Sequence, residues 1–367
     1  MQFLLAGVDL MNYGLIFQLR CLSRLHNRIN CVIILLLVEL RGCMKSYKII
    51  KNFTIEAQSE DNSQPPKDCA KVKIIRASLC PSDIAVFQGK AEGVKFPIVP
   101  CRIAVGLVSE SEDITLRKGQ RVMLSPYTRY ENGTYRIHGL KENGYLGDYV
   151  YVPYQNVYTI PDGIADNAVP FIEDIAVALN VIEKLDVDKT QYVMLYGCTS
   201  VNMIIAQLCI YYQAIPVIVD NDNERLAVAQ EQGIYYCINY AEEEVLQKIK
   251  EITSGKLVEY LILDSDICDE IGRMLHYVRH SGKVAIVGYD TSVQSLKGDF
   301  SPVIKNNLTV YGISDGYGEI ETAINMLATE TVNVDKLVGK IINVEDVQNE
   351  MTEMAKSHNY YKTIIKC

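Results

Sequence analysis

Apolar and polar positions change rhythm along the chain. From about residue 48 to 158 the pattern is of short strands and turns. Residues 72–77 alternate like a strand, 96–100 is an extended run punctuated by prolines, 118–122 is a turn entering a strand, and 148–152 is another strand. This half predicts a small β-rich domain. From about Asn167 the period lengthens. Apolar β-type runs at 192–196, 216–220, 260–264, 283–287 and 308–311 alternate with helical stretches at 168–185, 201–212, 223–232 and 241–253. Strands that alternate with helices predict a parallel sheet covered on both faces, hence an α/β fold with a doubly wound domain. No internal repeat or low-complexity segment interrupts the pattern.

Composition narrows the function classes. The 367 residues are 49% hydrophobic and 22% charged, an ordinary globular balance with enough apolar mass for two cores. The longest apolar run, around residues 32–38, falls far short of the roughly 20 residues a spanning helix needs, so no membrane partner is expected. The net charge of −9 argues against nucleic acid as a partner. Eleven scattered cysteines with no CxxC pair fit a reducing, cytoplasmic setting.

The first 43 residues are different text. They carry a net +2, from Arg20, Arg24, Arg28 and Arg41 against Asp9 and Glu39, which leaves −11 from Met44 onward. A signal peptide and an amphipathic interaction helix are two readings. The favoured third is that translation starts at Met44 and 1–43 is upstream sequence read in frame, because Arg41-Gly42-Cys43-Met44 can be encoded by a purine-rich tract before a start codon.

The second half carries a nucleotide pattern in altered form. The first strand runs into Tyr196-Gly197-Cys198-Thr199-Ser200-Val201-Asn202. A dinucleotide turn wants G-x-G-x-x-G, and Gly197 supplies the first glycine. Thr199 stands at the second, where the backbone meets the pyrophosphate, and Asn202 at the third, where helix and strand pack closely. Asn202 must therefore push the helix outward or find a partner for its amide. Asp220 closes the second strand at the spacing of the carboxylate that holds a ribose diol, which points to NAD(H). A parallel core without nucleotide is the competing reading.

Ordered motifs over 44–367 resemble the medium-chain alcohol dehydrogenase-like superfamily, in particular its zinc-dependent polyol and threonine dehydrogenase branch. They include Arg76-Ala77-Ser78-Leu79-Cys80-Pro81-Ser82-Asp83, Gly144-Tyr145-Leu146-Gly147-Asp148-Tyr149, Phe171-Ile172-Glu173-Asp174-Ile175, Val217-Ile218-Val219-Asp220 and Tyr361-Lys362-Thr363-Ile364. The resemblance implies a GroES-like catalytic domain at 44–176, a Rossmann domain at 177–312 and a C-terminal segment, 313–367, returning to the first. It also implies a homodimer or homotetramer.

Against that family the metal site departs. Cys80 and Glu173 match two zinc-ligand positions, but Arg102 falls where the ligating His belongs and Ile103 where the following Glu belongs. A guanidinium cannot ligate a metal, and two protein donors fall short of the three a catalytic zinc takes. Cys101 is expected to point away, as a neighbour does in an extended strand. No zinc is expected. Arg102 is read instead as a cation in the vacated position, paired with Glu173 and with Asp83 nearby; a surface-exposed Arg102 is the alternative. With no Cys between Cys101 and Cys198, structural zinc is not expected either. His138 reads as an exposed loop residue, and His276 with His280 as neighbours on a helix surface.

Ser82 matches the family's proton-relaying hydroxyl, while the His that often follows in that relay is here Ala85. Ser82 also reads as a helix cap and Cys80 as a core thiol. Candidate catalytic residues are Ser82, Arg102, Cys80 and Glu173; candidate cofactor residues are Gly197, Thr199 and Asp220. Two functions stand open: a zinc-free NAD(H)-linked oxidoreductase acting on a small hydroxy or carbonyl compound, and a catalytically lapsed relative that serves as a binding or assembly partner.

Overall fold

The computed structural model describes residues 43–61, 66–130, 133–265, 271–288, 298–356 and 361–367. The readings of 1–42 lie outside them. By its contacts the chain divides into Met1–Met44 with Ser59–Gln64, and a second unit, Lys45–Gln58 with Pro65–Cys367. The second unit carries everything that follows.

Its first part is β-rich, as the short-strand pattern predicts. In order it holds β1 (Cys43–Lys51), β2 (Thr54–Asp61), β3 (Cys69–Leu79), the short helix α1 (Pro81–Phe87), β4 (Ala104–Glu110), β5 (Arg121–Leu124), β6 (Tyr127–Arg129), β7 (Tyr135–Ile137), β8 (Tyr149–Pro153) and β9 (Val157–Thr159). The helix α2 (Ile172–Leu185) follows, buried along nearly its whole length, which is why its sequence is apolar almost all round. The predicted start at 168 is a separate 3-10 turn, Val169–Phe171. Pro170 occupies the first turn there, where its missing N–H costs nothing.

The strand–helix alternation then appears as β10 (Tyr192–Tyr196), α3 (Ser200–Tyr211), β11 (Ile215–Asp220), α4 (Asn223–Glu231), β12 (Tyr236–Asn239), α5 (Val245–Ile252), β13 (Val258–Asp264), α6 (Ile271–Met274), β14 (Val278–Val287), α7 (Ser301–Lys305) and β15 (Thr309–Ile313). These six strands form one sheet in the order β12-β11-β10-β13-β14-β15, every pair parallel. Strand β12 was not foreseen. It has four residues, two of them only half-buried, so its apolar signal is weak. Order reverses between β10 and β13, and in open parallel sheets that switch point opens a crevice beyond the strands' carboxyl ends. Gly197 and Asp220 lie at those ends, after β10 and on β11.

The chain closes with α8 (Ile320–Ala328), β16 (Val338–Asn343), α9 (Val347–Met354) and β17 (Lys362–Lys366). β17 pairs antiparallel with β3, Thr363 opposite Leu79 and Lys366 opposite Arg76. The last residues thus join a sheet begun nearly 300 positions earlier, in the order β16-β17-β3-β4-β5-β9 with β8 on the flank of β3. This return sets Lys362 beside α2.

Candidate active site

Three backbone features build the site. The first is α1, opened by Cys80-Pro81-Ser82-Asp83. Asp83 Oδ2 accepts from Cys80 N at 2.8 Å, so Cys80, not Ser82, is the cap residue of this helix. The second is the turn 100–102. Cys101 is left-handed, with φ 67°, rather than extended as expected. Its amide donates to Asp83 Oδ1 at 2.9 Å. Gly144 presses against this turn: a Cβ there would lie 2.3 Å from the Pro100 carbonyl oxygen, so no larger residue fits. Tyr145 N closes the cradle by donating to Cys101 O at 2.8 Å. The third is the first turn of α2, which carries Glu173 and Asp174 where the helix dipole favours anions.

The left-handed Cys101 turns Arg102 inward. Arg102 is 1% exposed, among the largest fully buried side chains of the molecule, which excludes the surface reading. Its Nε donates to Glu173 Oε2 at 2.8 Å and its Nη1 to Ser82 Oγ at 3.3 Å. The arginine therefore brings Ser82 and Glu173 together, with Cys80 close enough to feel its charge. Asp83 spends its oxygens on the two amides and senses Arg102 as a neighbouring charge. Burial pushes the Asp83 carboxyl up to about 6 and the Cys80 thiol up to about 12, although Arg102 and Lys362 pull the thiol down.

Two residues of this cluster went unassigned in the sequence. Tyr127 donates its hydroxyl to Glu173 Oε1 at 3.2 Å and accepts from Gly316 N at 3.1 Å. Lys362, 7% exposed, donates to Asp174 Oδ1 at 2.8 Å and to Pro170 O at 2.9 Å. Two buried ion pairs thus stand side by side at the start of α2. The signal for Lys362 was present, a lysine within a closing run otherwise read as strand. Tyr127 had none, because its partner lies 46 positions away.

Cys80 and Glu173 offer two donors where a catalytic zinc takes three, and a guanidinium already sits on the carboxylate. Among the described residues no group of three or more His, Cys, Asp or Glu side chains could hold a metal ion. These residues do not fit a zinc ion. The other histidines lie elsewhere. His138 is buried, not exposed: its Nδ1–H donates to Asn143 O at 2.7 Å, and Thr128 Oγ1 lies 2.8 Å from Nε2. His276 sits on a 3-10 turn and His280 in β14, so they share no helix face.

At the crevice, Gly197 has φ 91°, a value its neighbours' side chains would resist. Thr199 caps α3, its hydroxyl accepting from Asn202 N at 3.3 Å. Asn202 finds partners for its amide in the carbonyls of Tyr196 and Gly197, at 2.8 and 3.0 Å. It therefore fills the place of a glycine without displacing the helix. Asp220, 2% exposed, accepts from the amides of Cys198, Asn221 and Asp222 and is gripped by Arg225, whose Nη2 lies 2.5 Å from Oδ1. The turn and the α3 N-terminus fit a dinucleotide; a ribose diol reaches Asp220 once Arg225 gives way.

Residues 66–162 match the alcohol dehydrogenase GroES-like domain model and 201–329 the zinc-binding dehydrogenase model. The chain belongs to the zinc-type, medium-chain alcohol dehydrogenase-like superfamily. An uncharacterised zinc-type alcohol dehydrogenase-like protein of Haemophilus influenzae is 25% identical over 307 residues, 79% of this chain and 89% of that protein. A sorbitol dehydrogenase of Halalkalibacterium halodurans is 23% identical over 318 residues, 82% of this chain and 91% of its own. Among solved structures, an alcohol dehydrogenase of Escherichia coli CFT073 complexed with NADH superposes with a TM-score of 0.79 at 19% identity, covering 89% of this chain and all of that one. Galactitol-1-phosphate dehydrogenase from Escherichia coli gives 0.76 at 19%, over 88% of this chain and 100% of that one. At such identity these structures establish the shared fold.

Proposed function

We propose that the chain is an NAD(H)-linked oxidoreductase that acts on a small hydroxy or carbonyl compound without catalytic zinc, with Arg102 as the resident cation. One observation carries the zinc-free reading: the buried guanidinium that bridges Glu173 and Ser82. The NADH complex of the similar alcohol dehydrogenase supports the cofactor. When bound, the nicotinamide supplies or accepts the hydride. Gly197 and Thr199 would face the pyrophosphate and Asp220 the ribose.

The chain's own residues manage the charge and the proton. Arg102 Nη1 donates to Ser82 Oγ, so the serine keeps its own hydroxyl hydrogen for a substrate oxygen. The guanidinium stays protonated at any working pH. It therefore stabilises negative charge building on that oxygen but releases no proton itself, and Ser82 carries the proton. Glu173 balances the arginine, and Tyr127 fixes Glu173. The thiol of Cys80 stays protonated near neutral pH and takes no part. We also infer a homodimer or homotetramer in the cytoplasm. No described helix is long and apolar enough to cross a membrane.

The second reading, a lapsed relative that binds a partner, draws on Asp220, whose oxygens are already taken by three amides and Arg225. Titrating the full chain with NADH while following nicotinamide fluorescence separates the two. Saturable binding with no stoichiometric zinc by plasma mass spectrometry is expected. An absence of saturation would end the hydride-transfer reading, and one zinc per chain would end the zinc-free one.

A further inference from the structure

A cavity of about 340 Å³ lies between the β6–β7 hairpin, β9 and the start of α8. That volume is at the lower end of the range for small-ligand pockets. Three tyrosines, Tyr127, Tyr158 and Tyr317, line it, with Arg129 and Glu321. The rings are ordered by one another. Tyr127 packs edge-on to Tyr317 at 6.0 Å, and Tyr135 stacks flat behind Tyr317 at 4.9 Å. Tyr135 is itself held by Asp315.

The two charges are the telling feature. Across the molecule, arginines within reach of a carboxylate are paired with it: Arg102 with Glu173, Arg121 with Asp166, Arg136 with Glu142 and Arg225 with Asp220. Arg129 and Glu321 face one cavity and join neither each other nor any other charged side chain among the described residues. A guanidinium is built for bidentate capture of a carboxylate. A lone carboxylate is the natural acceptor for an ammonium. Tyrosine faces between them favour a planar group.

We propose that this cavity binds a zwitterionic amino acid with a planar side chain, its carboxylate on Arg129, its ammonium toward Glu321 and its ring among the tyrosines. The site is separate from the nucleotide crevice and does not depend on hydride transfer. It communicates with the buried ion pair, because the ring of Tyr127 is cavity wall while its hydroxyl holds Glu173. An occupant that shifts this ring loosens or tightens the anchor of Arg102.

Calorimetric titration of the full chain with L-phenylalanine tests the assignment. Phenethylamine and 3-phenylpropionate, which each lack one charge, are the controls. Saturable binding of L-phenylalanine is expected. Each control, and each of the exposed substitutions Arg129→Gln and Glu321→Gln, should weaken it about tenfold or more, the effect of one charge-assisted hydrogen bond. Circular dichroism confirms that both variants stay folded. The proposal is overturned if L-phenylalanine gives no saturable heat. It is equally overturned if the controls bind as well, or if both folded variants bind unchanged.

Discussion

Replacing Arg102 by Met removes the guanidinium and keeps much of its aliphatic volume. Glu173, 0% exposed, is then left with Tyr127 at 3.2 Å as its polar support. Removing one partner of a buried ion pair costs about 3–5 kcal/mol, because the remaining charge stays desolvated. At about 2.1 cal/mol/K per residue, each kcal/mol lowers the Tm of a chain above 300 residues by about 1.5 °C, so a fall of about 4–8 °C follows. The loss should grow at higher pH, since a stranded carboxyl escapes its penalty by taking up a proton. Adding Glu173→Gln removes the stranded charge while the amide oxygen still accepts from Tyr127, and the double variant should regain more than half of the loss. Thermal melts of both single variants and the double variant form a cycle whose coupling measures the pair directly. If Arg102→Met melts within about 1 °C of the parent, or if the two losses simply add, then Arg102 does not compensate Glu173 and the substituted-cation account is wrong.

Other expectations follow from the same geometry. Arg102→His places an imidazole beside Cys80 and Glu173, completing three donors, and should raise zinc content to about one per chain by mass spectrometry while the parent stays near zero. The raised Asp83 carboxyl binds its proton more tightly folded than unfolded. Its contribution therefore favours the folded state at low pH and is lost as pH climbs from about 4 to about 6, by about 3 kcal/mol at most. Urea midpoints across that range should fall less steeply, or rise more steeply, in Asp83→Asn than in the parent. Thr199→Gly gives up a weak cap worth a few tenths of a kcal/mol and restores the close backbone approach at the pyrophosphate. Its NADH affinity should increase in a fluorescence titration, and an unchanged or weaker affinity would place the pyrophosphate elsewhere.

Local pattern was enough for the elements with strong, regular signals. The parallel strands after Asn167 were visible because strands buried on both faces must be apolar throughout, and β10 lies where its run of residues lies. The altered nucleotide turn and the arginine at a metal-ligand position were also plain, since each is a residue type at a fixed spacing. Boundaries were weaker. Short edge elements such as β12 bury too little to mark the sequence, and the 3-10 turn before α2 carries the same apolar residues as the helix.

Tertiary structure decided what the charged and polar groups do. Arg102 points inward only because Cys101 adopts a left-handed conformation against Gly144, and nothing local to Pro100-Cys101-Arg102 announces that. His138 is buried by the fold of the hairpin around Thr128 and Asn143. Tyr127 and Lys362 enter the cluster from positions 46 and 188 residues from their carboxylate partners. A periodic pattern reports which face of an element avoids water. It does not report which distant charge meets which, and a buried charge is stable only where the completed fold supplies its partner.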